Sequence, residues 1–281
     1  MGKTFYDGNE TVKDLYNWAD SWRPGTCFQF FEGDSEALKQ TQNTQPCLYL
    51  ADLAAAVALQ QMGLQPDGVA GFSLGEIPAL AFAGAYTYKD GFKIACKRGE
   101  FMSASCGDTS MAAVLKLNNQ QVEDICAQYE HVYPVNYNCP GQLVISGRTE
   151  EIEACKSKIK EAGGRIVPLA VSGGFHSPFM SQAAKQFGVF LKEMENIAPP
   201  SLPVYANETA LPYGKDVKLT MERQIDHPVH WEQLIRQMNQ VPVFCCMRRN
   251  ALSRRLSLFA LCRILHRFDQ FQHALKRHTF F

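Results

Sequence analysis

The sequence lacks the patterns that would place it in several large classes. It has 10 cysteines but no Cys-x-x-Cys pair and no Cys/His cluster at zinc-ligand spacing. That argues against a structural zinc site and a redox dithiol, and points to reduced thiols in a cytoplasmic setting. No signal-peptide pattern and no apolar run long enough to span a bilayer occur, so stable membrane insertion is not expected. No internal repeat or low-complexity segment stands out. Net charge is absent too, with 28 basic and 28 acidic residues, and nothing suggests nucleic-acid binding. The zero conceals an asymmetry. Residues 1–240 carry 20 Lys+Arg against 27 Asp+Glu, whereas residues 241–281 carry 8 against the single Asp269. An apolar fraction of 46% and 281 residues are enough for a sizeable core.

What is present centres on residues 67–76. A short apolar stretch, Gly68-Val69-Ala70, runs into Gly71-Phe72-Ser73-Leu74-Gly75, and the helix-friendly run Ile77–Ala83 follows. Strand, Gly-x-Ser-x-Gly and helix in that order is the context of a nucleophile elbow. The glycines allow a tight turn, and a helix starting after Ser73 aims its first N–H groups at whatever binds there. A serine so placed can attack a carbonyl while the Leu74 amide stabilises the oxyanion. The bland alternative is a strand-to-helix turn with a capping serine.

Elsewhere the periodicity predicts an amphipathic helix over 9–22 and a short helix start at 34–40. A helix apolar on every face is predicted over 47–64, after the run Thr41–Pro46, and a further helix over about 89–105 carries Arg98. Residues 109–171 read as strand, helix, two strands, helix, strand: a ferredoxin-like βαββαβ unit inserted into a larger α/β domain. Its close leads into Ser172-Gly173-Gly174-Phe175-His176-Ser177, a loop histidine that could meet Ser73 only in space. A helix over 180–195, a strand at 204–207 and a last amphipathic helix to about 239 complete the pattern. Arg98 by itself reads as a surface arginine.

Six stretches in this order resemble the malonyl-CoA:acyl carrier protein transacylases of fatty-acid synthesis. They are Asn43-Thr44-Gln45-Pro46, Gly71–Glu76, Arg98-Gly99, Asn136–Gln142, Val171–Ser177 and Pro228-Val229-His230-Trp231, and the resemblance covers roughly residues 1–240. It implies an α/β-hydrolase-like core with a parallel sheet and nucleophile elbow (1–107 and 172–240), a ferredoxin-like subdomain (108–171) and an atypical basic tail (241–281). It also implies ping-pong transfer of malonyl from malonyl-CoA to the phosphopantetheine thiol of acyl carrier protein. Ser73 would be the nucleophile and His176 the base, oriented by a backbone carbonyl. Arg98 would hold the free malonyl carboxylate, as a planar fork of donors can. Gln224 matches the family's helper glutamine. Asn138 falls in a matching motif, and the Phe175 ring would leave little room for an α-methyl group. No resident cofactor or metal and a monomeric state are expected.

The chain departs from the family in three ways. Phe72 stands where many relatives have His, at a position read as packing. The family's opening strand and Phe-Pro-Gly-Gln-Gly loop are not matched, and neither is its closing strand and Gly-Pro-Gly turn after Gln240. This predicts an uncovered sheet edge beside Ser73 and a poor catalyst. In the tail, Leu258, Leu261, Leu265 and Phe268 could share a helical face, with Arg263 and Arg267 elsewhere. Two other functions remain open on sequence alone: a hydrolase or thioesterase on a similar elbow, and a weak paralogue that only binds carrier protein.

Overall fold

The computed structural model describes residues 3–34, 36–171, 173–238 and 244–247. The tail residues proposed as a helical face lie outside the described residues. Seven strands occur among the described residues: β1 (Gly68–Gly71), β2 (Thr109–Leu115), β3 (Val132–Cys139), β4 (Gln142–Arg148), β5 (Arg165–Pro168), β6 (Val204–Tyr205) and β7 (Phe244–Met247). They form two sheets, a parallel one in the order β6-β1-β7 and an antiparallel one in the order β3-β4-β2-β5.

The parallel sheet presents the serine. All four residues of β1 are buried, as a strand covered on both faces should be. Val69 lies opposite Val204 on one side and Cys245 on the other, and Gly71 lies opposite Met247. The expected uncovered edge beside Ser73 is therefore corrected. The strand Phe244–Met247 comes from the stretch read as having lost its closing strand, and it occupies that edge. Its Phe-Cys-Cys-Met sequence is apolar throughout and can pair, although the family's turn motif does not follow it.

Two helices packed against each other carry Gln45 and Arg98. Thr41–Gln61 is buried on most faces, as its all-round apolar sequence predicts, and Gly63 (φ +90°) ends it in the left-handed region. It starts six residues earlier than read, at Thr41, with Pro46 inside. The Gln40 carbonyl accepts from the N–H groups of Asn43 and Thr44 at 2.9 and 3.0 Å, which stitches that first turn. Helix Tyr88–Ala104, capped by the Thr87 side chain, crosses it at Gly99. A Cβ at Gly99 would lie 3.0 Å from Gln42 Cα and 3.1 Å from the Thr41 carbonyl oxygen. The small residue after Arg98 thus lets the two helices close and brings Gln45 up to Arg98.

The antiparallel sheet has the ferredoxin-like order expected for residues 109–171. Its two faces separate cleanly, following the two-residue period of a strand. Ala112, Val114, Leu143 and Ile145 pack under helices Asn119–Cys126 and Thr149–Glu161 with Val122, Ile152, Cys155 and Ile159. Met111, Ala113, Val135 and Val144 face the other way, with Phe175 against them. Val229 ties the sheets together. Its N–H donates to the Val135 carbonyl at 2.7 Å, and its carbonyl accepts from Tyr137 N–H at 2.9 Å. Helices Thr26–Glu32 and Val217–Arg223 have no counterpart in the sequence reading. No described helix is long and apolar enough to cross a membrane.

Candidate active site

The turn after β1 is as tight as its glycines allow. Ser73 has φ +52°, a left-handed conformation costly for a residue with a Cβ. A Cβ on Gly71 would sit 1.8 Å from the Gly75 carbonyl carbon, so only glycine permits this approach. Asn207, two residues beyond β6, holds the turn from outside. Its Oδ1 accepts from Ser73 N–H at 2.6 Å, and its Nδ2 donates to the Gly71 carbonyl at 2.6 Å. Ser73 N–H is therefore occupied, and the next amide is that of Leu74, in the short turn Ser73–Gly75.

His176, also at positive φ (+62°), lies 2.7 Å from Ser73 Oγ through Nε2. Its Nδ1 is 2.9 Å from the Gln224 carbonyl oxygen. A carbonyl only accepts, so Nδ1 carries the proton and Nε2 is the lone-pair nitrogen facing the serine hydroxyl. Burial and the nearby Arg98 charge push the imidazole down to about 3, so it rests neutral.

Arg98 is 1% exposed, not the surface residue that its helix context suggests. One terminal nitrogen donates to Gln45 Oε1 at 2.8 Å; the other donates to Gln224 Oε1 at 2.8 Å and reaches Ser73 Oγ at 3.2 Å. Its Nε is buried with no partner. Burial lowers its affinity for the proton to about 10, opposed by Glu76, and it stays a cation at neutral pH. Gln224 Nε2 donates to the Ser73 carbonyl at 2.6 Å. One glutamine thus touches the nucleophile's backbone, the arginine and, through its own carbonyl, the histidine.

Glu76 completes the network. It is 1% exposed, accepts from Asn207 N–H at 2.8 Å and from the Tyr213 hydroxyl, and lies 3.5 Å from Gln224 Nε2. Burial pushes its carboxyl up to about 7 against the pull of those donors and of Arg98.

Of the residues singled out in the sequence, Ser73, His176, Arg98 and Gln224 come together directly. Leu74 follows the serine. Phe175 precedes the histidine and packs between the main core and the inner face of the antiparallel sheet. Asn138 is buried on β3. Phe72 packs edge-on against Trp231, with ring centroids 5.4 Å apart, as expected of a packing residue. Gln45 and Glu76 stood in matching stretches without an assigned role, and Asn207 and Tyr213 were not singled out. A buried-helix glutamine and a glutamate directly after the elbow were the available signals.

A strained serine between a parallel strand and a helix defines the class first: an α/β protein built on a nucleophile elbow. The acyl transferase domain family matches residues 14–234. Malonyl CoA-acyl carrier protein transacylase of Bacillus subtilis (strain 168) is 36% identical over 248 residues, covering 85% of this chain and 78% of that protein. Among solved structures, the malonyl CoA-acyl carrier protein transacylase from Burkholderia pseudomallei superposes with a TM-score of 0.83 at 31% identity, over 91% of both chains. A malonyl-transacylase in complex with its type II PKS acyl-carrier protein gives 0.83 at 27% identity, over 89% of this chain and 84% of that one. The chain belongs to the malonyl-CoA:acyl carrier protein transacylase family of acyltransferases.

Proposed function

We propose that this acyltransferase moves a malonyl group from malonyl-CoA to the phosphopantetheine thiol of acyl carrier protein through an ester on Ser73. In the first half-reaction His176 Nε2 takes the Ser73 proton as Oγ attacks the thioester carbonyl. The Leu74 amide stabilises the oxyanion, and the departing CoA sulfur takes the proton back from His176. In the second, the same nitrogen takes the proton of the pantetheine thiol, whose sulfur attacks the ester, and His176 returns that proton to the departing Ser73 Oγ.

Arg98 pairs with the malonyl carboxylate. That pairing bears on the base as well. The Arg98 charge is one of the two causes that weaken His176, and a bound carboxylate offsets it, so the imidazole becomes a better base when the correct acyl group is present. Phe175 limits the space beside the acyl α-carbon. One methyl is worth only about 1–3 kcal/mol, so selectivity against branched units is incomplete.

The observation that carries this reading is the 2.7 Å Ser73–His176 contact in one network with a buried arginine. A simple esterase has no use for that cation. We further take residues 108–171 as an inserted unit against a core of 1–107 and 172–240, supported by its separate apolar cluster. The chain acts as a cytoplasmic monomer without nucleic acid, in keeping with the acidic balance of residues 1–240. Incubation with malonyl-CoA followed by peptide mass spectrometry should find malonate on Ser73, and holo-carrier protein should discharge it. Malonate on another residue, or release to water in place of transfer, would overturn the reading.

A further inference from the structure

We propose that Glu76 is the resident counter-charge of Arg98, and that it sets how tightly the site holds an acyl group bearing its own carboxylate. The inference rests on the malonyl-transfer reading above.

Arg98 is a fully buried cation whose hydrogen-bond partners are all neutral: two carboxamide oxygens and a hydroxyl. None of the ion pairs among the described residues involves it. A buried charge without compensation is costly, and hydrogen bonds from amides offset only part of that cost. The compensating carboxylate is one side chain away. Gln224 accepts from Arg98 at Oε1, and its Nε2 faces Glu76 Oε2. The carboxamide therefore stands between the two charges, with its dipole oriented to suit both. Glu76 is in turn held as an acceptor by Asn207 N–H and the Tyr213 hydroxyl. The ionisable groups around it are Tyr213, Tyr86 and Arg98, with His176 on the far side of Ser73. Glu208 also acts on Tyr213, and Glu76 is the carboxylate that accepts from Tyr213 and acts on Arg98.

The arrangement has a consequence for binding. A malonyl carboxylate arriving at Arg98 enters a site that already holds a negative charge, one carboxamide away. Two like charges then share one guanidinium, and the grip on malonyl is weaker than a lone buried arginine would give. A ping-pong enzyme must release its acyl group in every cycle, and a moderated grip serves that release. An acetyl group carries no charge and should be indifferent to Glu76.

Glu76→Gln tests this because it keeps the shape. Its carboxamide oxygen can still accept from Asn207 N–H, and its NH2 can donate to the Tyr213 oxygen. In a Ser73→Ala background, which blocks chemistry, affinities for malonyl-CoA and acetyl-CoA would be measured by calorimetry at about pH 8, where Glu76 is ionised. Addition of Glu76→Gln should tighten malonyl-CoA by about fivefold or more, the scale of an ordinary site-to-site coupling, and move acetyl-CoA by less than twofold. Unchanged or weaker malonyl-CoA binding would overturn the proposal, as would equal changes for both ligands, which would mark Glu76 as structural. If the double variant does not fold, Tyr213→Phe in its place removes one donor from the carboxylate. It should bring Glu76 closer to neutral and tighten malonyl-CoA about twofold at pH 7, and no tightening would likewise overturn the proposal. If the Ser73→Ala protein itself does not prefer malonyl-CoA over acetyl-CoA, the functional reading fails instead.

Discussion

The two sheets of this protein differ in how they handle charged groups. Around the antiparallel sheet local rules are mostly kept, with Asn136, Asn138 and Ser146 buried on its strands and Lys116 at φ +70° as the exceptions. Asn118 and Gln121 cap their helix reciprocally, the core under the helices is apolar, and the Lys156–Glu153 pair sits on the surface. Around the parallel sheet they are broken. Arg98, Glu76, His176, Asn207, Gln224 and Gln45 are all buried, and Ser73 and His176 both sit at positive φ. Strain and buried charge cluster where chemistry is done, because the fold there is arranged for geometry and not for local comfort. The antiparallel half supplies the stable wall that allows it.

Substitutions should separate the two halves by what they change. Ser73→Ala should have the largest effect, lowering malonyl transfer by at least about 10⁴-fold while the urea midpoint stays near that of the parent. Stable label from malonyl-CoA on that variant would break the contrast. Leu143→Ala, fully buried on β4, should do the reverse, costing about 2–5 kcal/mol of stability and leaving the malonyl-to-acetyl ratio of kcat/KM unchanged in the folded fraction. A shifted ratio would mean that the wall also shapes the pocket.

Arg98→Ala comes next. Loss of a charge-assisted contact of roughly 1.5–3 kcal/mol should lower that ratio roughly 10–150-fold, read as specificity constants for the two acyl donors. An equal fall for both would reduce Arg98 to a packing residue.

The smallest effect sharpens the comparison through pH. His176 is pushed from 6.5 to about 3 on folding, so the unfolded chain binds its proton more readily, and stability falls as pH drops from 6.5 toward 3. Glu76 is pushed from 4.5 to about 7, so the folded chain binds that proton more readily, and stability falls as pH rises from 4.5 toward 7. The two trends oppose each other between 4.5 and 6.5. Glu76→Gln removes the second. Its stability should therefore gain on the parent as pH rises through 4.5–7, by at most about 1.4 kcal/mol per pH unit, measured as urea midpoints in parallel. A constant difference across that window would show that the carboxyl does not titrate there.

The halves also differ in how far they could be read in advance. The βαββαβ order was legible because each strand and helix announces itself by local period and caps, with errors of a few residues at the ends. In the other half, Ser73 and His176 were found because they stand at element junctions inside motifs, and Arg98 and Gln224 because they match positions of a family. Glu76 and Asn207 were in plain view but mute. Their hydrogen bond spans 131 positions, and Asn207 meets Ser73 across 134. No local pattern encodes such a contact; it exists only once β1 and β6 lie side by side. The strand β7 was missed for a related reason. Its motif had diverged, yet strand pairing needs only backbone groups and a tolerant sequence.

The partner of His176 Nδ1 is a main-chain oxygen, and this gives the site an unusual kind of protection against genetic change. Where a carboxylate orients the imidazole, one altered codon can delete it. Here every amino acid at position 224 brings the same carbonyl, so no point mutation removes the acceptor. Drift can erase the side chain of Gln224, with its hold on Arg98, and still leave the histidine's tautomer fixed. Only a shift in the path of the chain between Arg223 and Asp226 would undo it, which makes the base heritable as a property of the fold.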